Sequence, residues 1–159
     1  MPIILGETAK AIFLTFFVSM LPVIELRGAI PIGISEGLGF YQAFIVAIIG
    51  NLVPVPFIVL FIRTIFNWLR DKSIALNRLV ERLENKAHAK KEIVEKYEWW
   101  GLVLLVAIPL PGTGAWTGAL VAAILDMRLK RAFPAIAMGV LIAGIIVLFI
   151  SYGASAVVL

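Results

Sequence analysis

The pattern of apolar and charged residues predicts two membrane-spanning helices, one in each half of the chain. The segments Gly37–Ile62 and Ala132–Leu159 carry no charged residue. Each is long enough to cross a bilayer, for which ~20 apolar residues suffice. Pro54 and Pro56 lie inside the first segment and predict a kink there, because a proline removes one hydrogen bond from a helix.

A third uncharged segment, Trp99–Leu125, is interrupted at its centre by Pro109, Pro111 and Gly112. The prolines lack a backbone N–H, and glycine gives up backbone order, so a continuous helix is disfavoured there. A break exposed to lipid leaves backbone groups unpaired, at several kcal/mol each. The arms on either side are each about half a bilayer long. We therefore expect a re-entrant helical hairpin whose tip is buried in protein or lines a cavity.

The first half contains a similar interrupted region. The apolar stretches Ala11–Ile24 and Gly28–Ser35 are separated by charged residues and punctuated by Pro22 and Pro31. Neither stretch spans a membrane by itself. We therefore expect another helical hairpin, with breaks at both prolines.

The two halves resemble each other at a nearly constant offset of about 89 positions, as expected for an internal repeat. Each unit of the repeat is then a broken hairpin followed by a spanning helix. The matched segments are Leu21-Pro22 with Leu110-Pro111, Gly28-Ala29 with Gly118-Ala119, Ala43-Phe44 with Ala132-Phe133, Gly50 with Gly139, and Ile58–Ile62 with Ile146–Ile150.

The distribution of basic residues orients the two units. Arg63–Glu98 holds most of the lysines and arginines, and Arg128–Arg131 is also basic, so both are expected on the cytoplasmic side. The segment Glu36–Ala43 has no basic residue and is expected outside, together with the C-terminus. The first hairpin then enters from outside and the second from inside. This is an inverted-topology repeat, and transporters place substrate sites where such repeats meet near the bilayer midplane.

The charged region between the halves is expected to be a helix. Leucine and valine recur in it at helical spacing, which favours an amphipathic helix on the membrane surface. A solvated connecting helix is the alternative. We therefore predict one all-α membrane domain, with residues 1–62 as the first repeat, 63–98 as the cytoplasmic connector and 99–159 as the second repeat.

Composition supports a multi-pass protein of the cytoplasmic membrane. Of 159 residues, 62% are hydrophobic and 15% are charged, whereas soluble domains have ~25% charged residues. The net charge of +4 comes from residues beside apolar segments and does not indicate nucleic-acid binding. The acidic Glu7, and the lack of an Ala-x-Ala site closely following the apolar run Ala11–Leu21, argue against a cleaved signal peptide.

The residue inventory excludes several kinds of chemistry. Cysteine is absent and there is one histidine, which argues against a metal site built on these ligands. The sequence shows no Walker loop, catalytic triad or paired carboxylates. We therefore expect neither an enzyme nor a cofactor.

Glu25 and Arg27 are the candidate site residues of the first hairpin. An ionisable residue at membrane depth is costly and is by default a functional candidate. Arg27 could hold a phosphate or carboxylate by a forked contact, and Glu25 could carry a proton. The alternative is that the two charges merely pair, or that Arg27 reaches the membrane surface.

The second hairpin offers a helix start rather than charges. A helix beginning at Thr113 or Gly114 directs N–H groups and a positive dipole end toward the midplane, where they could bind an anion together with Thr117. For either threonine, helix capping alone is the alternative. Asn51 is interpreted as satisfying backbone groups released by Pro54 and Pro56, with substrate contact as the alternative.

Two motifs resemble the small multidrug export protein family, over nearly the whole chain. They are ELRGAIP, beginning at Glu25, and PLPGTGAWTG, beginning at Pro109. This family resembles the DedA/VTT membrane proteins, which carry two oppositely inserted re-entrant hairpins. DedA members are implicated in returning polyprenyl-phosphate carriers across the membrane, and VTT proteins in lipid scrambling. The resemblance implies that Glu25 and Arg27 are functional residues of the hairpin.

Three functional hypotheses follow. In the first, the protein transports an amphipathic anion, such as a lipid phosphate, with proton coupling at Glu25. In the second, it exports cationic amphiphiles and Glu25 is their counter-ion. In the third, it is an assembly protein without transport. The expected partners are membrane lipids and a small amphipathic substrate, and the sequence leaves a homodimer open.

Overall fold

The computed structural model describes residues 2–110 and 112–158, with side chains described for 6–110 and 112–154. All regular secondary structure in these residues is helical. The helices are α1 (Pro2–Met20), α2 (Glu25–Ser35), α3 (Phe40–Leu52), α4 (Pro54–Arg70), α5 (Ile74–Ala107), α6 (Ala115–Ile124) and α7 (Leu129–Val158).

Two helical segments are long and apolar enough to cross a membrane, namely Phe40–Arg70, which comprises α3 and α4, and Leu129–Ala154 of α7. They coincide with the two predicted spans. A turn at Val53 separates α3 from α4 directly before Pro54, where the kink is predicted. The structure therefore confirms an all-helical protein with two candidate spanning segments.

The chain forms two compact units. The first contains the residues up to Pro54 together with those from Val140 onward, and the second is Val55–Gly139. These boundaries differ from those of the predicted repeats, because α7 is divided between the units. Gly144 lies close to Phe44 in the first unit, whereas Gly139 packs inside the second.

In the first unit, α1, α2 and α3 pack against one another. A Cβ atom added at Gly33 would lie 2.6 Å from Thr15 Oγ1 and 3.2 Å from the Cβ atom of Ala43. A Cβ atom added at Gly50 would lie 2.5 Å from the Phe16 carbonyl oxygen. Small residues at these positions thus let the helices approach closely, and α3 runs in the same direction as α1.

In the second unit, α5 contains a sharp reversal at Glu98, which has φ 50° and ψ −124°. We call Ile74–Tyr97 the connector segment and Trp99–Ala107 the arm segment of α5. A Cβ atom added at Gly101 would overlap the Ile93 carbonyl oxygen, so the connector folds back against the arm. This close approach is possible because Gly101 has no side chain.

The connector segment buries one stripe of side chains in the second unit. They are Val80, Ala87 and Val94, at seven-residue spacing, whereas Leu79 and Leu83, two of the apolar residues whose spacing favours a membrane-surface helix, are exposed. This stripe is buried because the reversal at Glu98 folds the connector segment back against the arm segment. The location of this helix relative to a membrane stays a prediction.

Helix α6 and the start of α7 also pack against the arm segment. A Cβ atom added at Gly118 would lie 2.5 Å from Val106 Cγ2. One added at Gly139 would lie 2.6 Å from Val106 Cβ and 2.9 Å from the Val103 carbonyl oxygen. Glycines in both α6 and α7 therefore permit close packing against the arm.

The predicted helix breaks have mixed outcomes. Pro22 lies between α1 and α2, and both Pro109 and Gly112 lie between α5 and α6, as predicted. Pro31 lies inside α2, so the prediction of a break there is wrong. It removes one donor from the helix, but the buried side chains on either side keep α2 packed, and tertiary contacts outweigh the local cost. Pro111 lies outside the described residues.

Helices α2 and α6 end with the same hydrogen-bond pattern, a Schellman motif, in which a residue with positive φ terminates the helix. In both cases one N–H bonds a carbonyl five residues back and the preceding N–H bonds a carbonyl three residues back. The bonds are Leu38 N to Gly33 O (2.9 Å) and Gly37 N to Ile34 O (3.1 Å) after α2, and Met127 N to Ala122 O (2.9 Å) and Asp126 N to Ala123 O (3.2 Å) after α6.

Candidate functional site

Glu25 and Arg27 lie together at the start of α2, directly after the break that contains Pro22. Arg27 Nη1 lies 4.0 Å from Glu25 Oε2, and the side chains are 21% and 3% exposed, respectively. Residues two positions apart on a regular helix do not face each other. They do so here because Glu25 has φ 51° and lies at the irregular junction.

The position of Glu25 is costly in two ways. Its carboxylate is buried, and its backbone lies in the left-handed region that favours glycine. Burying a charge requires a compensating partner, and Arg27 supplies an opposite charge. A carboxylate at the first turn of a helix also interacts favourably with the helix dipole. The fold thus holds an ion pair at the tip of the first hairpin.

Two buried hydroxyl groups accompany this pair in the first unit. Thr15 Oγ1 donates to the Ala11 carbonyl at 2.8 Å, and Ser19 Oγ donates to the Phe16 carbonyl at 2.7 Å. Both hydroxyls therefore have local partners within α1. Neither hydroxyl is among the predicted site residues, although two hydroxyls one turn apart in an apolar helix are a visible signal.

Asn51 is completely buried near the end of α3. Neither its side-chain nitrogen nor its oxygen has a hydrogen-bond partner among the described residues. The interpretation that Asn51 satisfies backbone groups released by Pro54 is therefore wrong. Its carboxamide is enclosed within the helix packing and does not bond the nearby carbonyls.

The threonines of the second hairpin bind the carbonyls of the break. Thr113 Oγ1 lies 2.7 Å from the Ile108 carbonyl oxygen and 2.8 Å from that of Leu110. Thr117 Oγ1 lies 3.2 Å from the Gly112 carbonyl oxygen. The N-cap of α6 is Gly114, and no side chain caps the helix. These hydroxyls donate to the loop, so they stabilise it, and their role in substrate binding stays a prediction.

A lysine from the connector segment lies beside the tip of the second hairpin. A Cβ atom added at Gly112 would lie 3.1 Å from Lys86 Cε and 3.3 Å from Lys86 Nζ. Gly112 has φ 81°, a conformation suited to glycine. The break therefore has a neighbouring positive charge that its own residues do not provide, and sequence reasoning missed it because the two residues are distant along the chain.

An open cavity of about 400 Å³ lies at the base of the second hairpin, lined in part by Glu98, Trp99 and Arg131. The indole Nε1 of Trp99 donates to the Arg131 carbonyl at 3.2 Å. Nearby, Arg63 forms an ion pair with Asp126 and bonds the Ile124 carbonyl at 3.1 Å. None of the predicted substrate-binding residues lines this cavity. The Arg63–Asp126 pair is exposed, and such surface pairs contribute little to stability.

Among the described residues, no cluster of three or more histidine, cysteine or acidic side chains could hold a metal ion. The titratable groups described at the tip of the first hairpin are Glu25 and Arg27, and Lys86 lies beside the tip of the second. The arrangement can bind a charged group and exchange a proton.

Comparison with known proteins identifies the family. No curated protein and no solved structure matches the chain. A sequence model of the family described as "Putative small multi-drug export protein" matches residues 25–146, which include both hairpin motifs. The match begins at Glu25 and covers most of the chain, whose two apolar helices suit a membrane protein. The chain therefore belongs to this small multi-drug export protein family.

Proposed function

We propose that the protein is a transporter of the cytoplasmic membrane that moves an amphipathic anionic substrate, with Arg27 binding the headgroup and Glu25 coupling transport to protons. The observation that carries this proposal is the unequal exposure of the pair. The Arg27 side chain is 21% exposed and that of Glu25 is 3% exposed. An incoming ligand therefore meets the guanidinium first, and a guanidinium binds carboxylates and phosphates in a forked geometry.

The pair also provides a means of coupling. When Glu25 is ionised, its carboxylate competes with the substrate for Arg27. When a proton binds the carboxylate, this attraction is lost, so the guanidinium binds the anionic headgroup more strongly. Substrate binding and proton binding at Glu25 therefore favour each other, which is the reciprocity that linkage requires.

The finer architecture is part of the same proposal. We infer that the two hairpins are re-entrant and form an inverted repeat, with Thr113, Gly114 and Thr117 contributing the second half of the binding surface. The matched endings of α2 and α6 support the repeat. The similar glycine packing of Gly50 and Gly139 supports it as well. The proposed lipid-like character of the substrate rests on the resemblance to the DedA/VTT proteins.

Transport by the purified protein in phosphatidylcholine vesicles tests the proposal. Two radiolabelled probes with the same chain, hexadecyl phosphate and hexadecyltrimethylammonium, are compared, and albumin extraction measures how much of each crosses the bilayer. We expect transport of the phosphate, accelerated by a proton gradient. Arg27→Ala should abolish it and Arg27→Lys should retain part of it, because lysine keeps the charge and loses the fork.

The remaining outcomes decide between the hypotheses. Glu25→Gln should leave transport that no longer responds to pH, because the titratable group is gone. Transport of the ammonium probe alone, abolished by Glu25→Gln, would instead assign a cationic substrate. No transport of either probe by a folded protein would favour an assembly role.

A further inference from the structure

We infer that Asn51 of α3 binds the substrate together with Arg27 and that its carboxamide hydrogen-bonds the anionic headgroup. This inference rests on the proposed function, because it assigns the ligand of Asn51 as the headgroup that Arg27 binds. Asn51 is completely buried, and both polar atoms of its side chain lack a hydrogen-bond partner among the described residues. A buried polar group in that condition is rare and costs the full penalty of its desolvation.

Packing places Asn51 near the level of Glu25 in the first unit. Gly33 of α2 contacts Ala43 of α3. Glu25 precedes Gly33 by eight residues in α2, and Asn51 follows Ala43 by eight residues in α3. Because α2 and α3 are antiparallel neighbours joined by a short loop, both residues lie about 12 Å from that contact in the same direction, at 1.5 Å per residue.

Contacts with α1 independently place Asn51 at the level of Glu25. Gly50, the neighbour of Asn51, lies against Ser19. Ser19 is one residue before the end of α1, and Glu25 begins α2 after the intervening break. The end of α1, the start of α2 and the Asn51 turn of α3 therefore meet at the tip of the hairpin.

Packing alone does not require an amide at this position. Val140 stands at the corresponding position of the other half, at the offset that relates Gly50 to Gly139, and it is also completely buried. An apolar side chain of similar size is thus sufficient for close packing beside this glycine. The amide is therefore assigned to a ligand, for which its NH2 group offers two donors and its oxygen an acceptor.

The chemistry of Asn51 complements that of Arg27. The carboxamide is neutral, so it adds a directed hydrogen bond to an anionic oxygen without adding another charge at membrane depth. Phosphate and carboxylate headgroups accept such a bond, and a quaternary ammonium group does not. Asn51 therefore adds discrimination between an anion and a cation to the binding site.

The experiment compares Asn51→Leu with a matched control, Thr15→Val, in the vesicle assay with hexadecyl phosphate. Leucine is close to asparagine in size and removes both polar atoms. We expect an unchanged or higher melting temperature and a rise of about ten-fold or more in the half-saturating phosphate concentration, the loss expected for one hydrogen bond to a charged group. Thr15→Val should show the opposite pattern, because it removes a hydroxyl that bonds within α1. It should lower the melting temperature and leave the half-saturating concentration unchanged.

The outcomes separate this inference from the proposed function. If the wild type moves the phosphate through Arg27 and Asn51→Leu behaves as the wild type, the inference alone is overturned. A fall in melting temperature with unchanged phosphate affinity would also overturn it, because the amide would then stabilise the fold. If the wild type does not move the phosphate, the proposed function fails and the inference fails with it.

Discussion

Helix α3 packs on α1 through Gly50, and helix α7 packs on the arm segment of α5 through Gly139. In both contacts a Cβ atom on the glycine would meet a backbone carbonyl oxygen of the partner helix, that of Phe16 or that of Val103. The second arms, α2 and α6, also end with the same capping pattern. The two halves of the chain thus share these backbone contacts and helix endings.

Their side chains differ at matching positions. In the proposed repeat, Glu25, with φ 51°, stands opposite Gly114, with φ 127°. Asn51 corresponds to Val140. In each case the second half of the chain has the residue that the local geometry favours, a glycine at positive φ and an apolar side chain in a buried site. The polar residues of the first hairpin therefore cost stability that its backbone geometry does not require, which is common at functional sites.

The largest expected effect concerns the side of the membrane from which each hairpin enters. It tests whether the two hairpins are inverted copies. The chain has no cysteine, so single cysteines can be introduced at Gly39 and at Lys130. If the hairpins enter from opposite sides, Gly39→Cys should react only with an impermeant thiol reagent outside the cell, and Lys130→Cys only after permeabilisation. Reaction of both from the same side would exclude an inverted repeat, and the similarity would then reflect packing alone.

The next prediction addresses the difference in charge. Exchanging the pair, with Glu25→Arg and Arg27→Glu together, keeps an ion pair but reverses which group is more exposed. Because a ligand site reads the sign at each position, we expect loss of hexadecyl phosphate transport with little change in melting temperature. A swapped protein with full transport would show that the pair is structural, and the contrast with the second hairpin would then carry no functional meaning.

A third prediction addresses the shared geometry. Gly50→Ala and Gly139→Ala should each lower the free energy of unfolding by about 2 kcal/mol, because the added methyl group is forced against a carbonyl oxygen. Thermal unfolding in detergent measures this. Gly6→Ala and Gly153→Ala are controls, since a Cβ atom at either glycine has nothing within 4 Å, and alanine favours a helix. If only one of the two packed glycines were sensitive, the hairpins would not share this contact.

Local sequence signals predicted much of this fold. Pro22 marked the first break, and Pro109 with Gly112 marked the second. A proline removes a helix hydrogen bond, and a glycine gives up backbone order. The length of the two uncharged segments predicted both candidate spanning helices. The charged residues Glu25 and Arg27 were identified as a pair because ionisable groups are rare in apolar segments. These signals all operate within a few residues of the chain.

The features that were missed depend on contacts between distant residues. The reversal at Glu98 relies on the close approach of Gly101 to the connector, and Lys86 reaches Gly112 only after that reversal. The burial of Asn51 without a hydrogen-bond partner among the described residues depends on which helices enclose it. Pro31 is tolerated because packing holds the helix around it. Periodicity and composition contain no information on such contacts.

The smallest expected effect tests the shared ending of α2 and α6, where one hairpin uses Gly37 and the other uses Asp126 at positive φ. Gly37→Ala should lower the free energy of unfolding by about 1 kcal/mol, because a side chain is disfavoured in the left-handed region. Nothing lies within 4 Å of a Cβ atom at this position, so the cost comes from the backbone alone.

Gly39→Ala is the matched control in the same loop. Gly39 has φ −60° and ψ 150°, a conformation open to any residue, so alanine should leave the stability unchanged or raise it slightly. Asp126→Gly removes the same backbone strain from the other hairpin but also removes the exposed ion pair with Arg63. Because such pairs contribute about 0 to 1 kcal/mol, the two effects should nearly cancel. A loss of stability at Gly39 as large as that at Gly37 would show that the loop is sensitive to any side chain, and positive φ would then not explain how the two helices end alike.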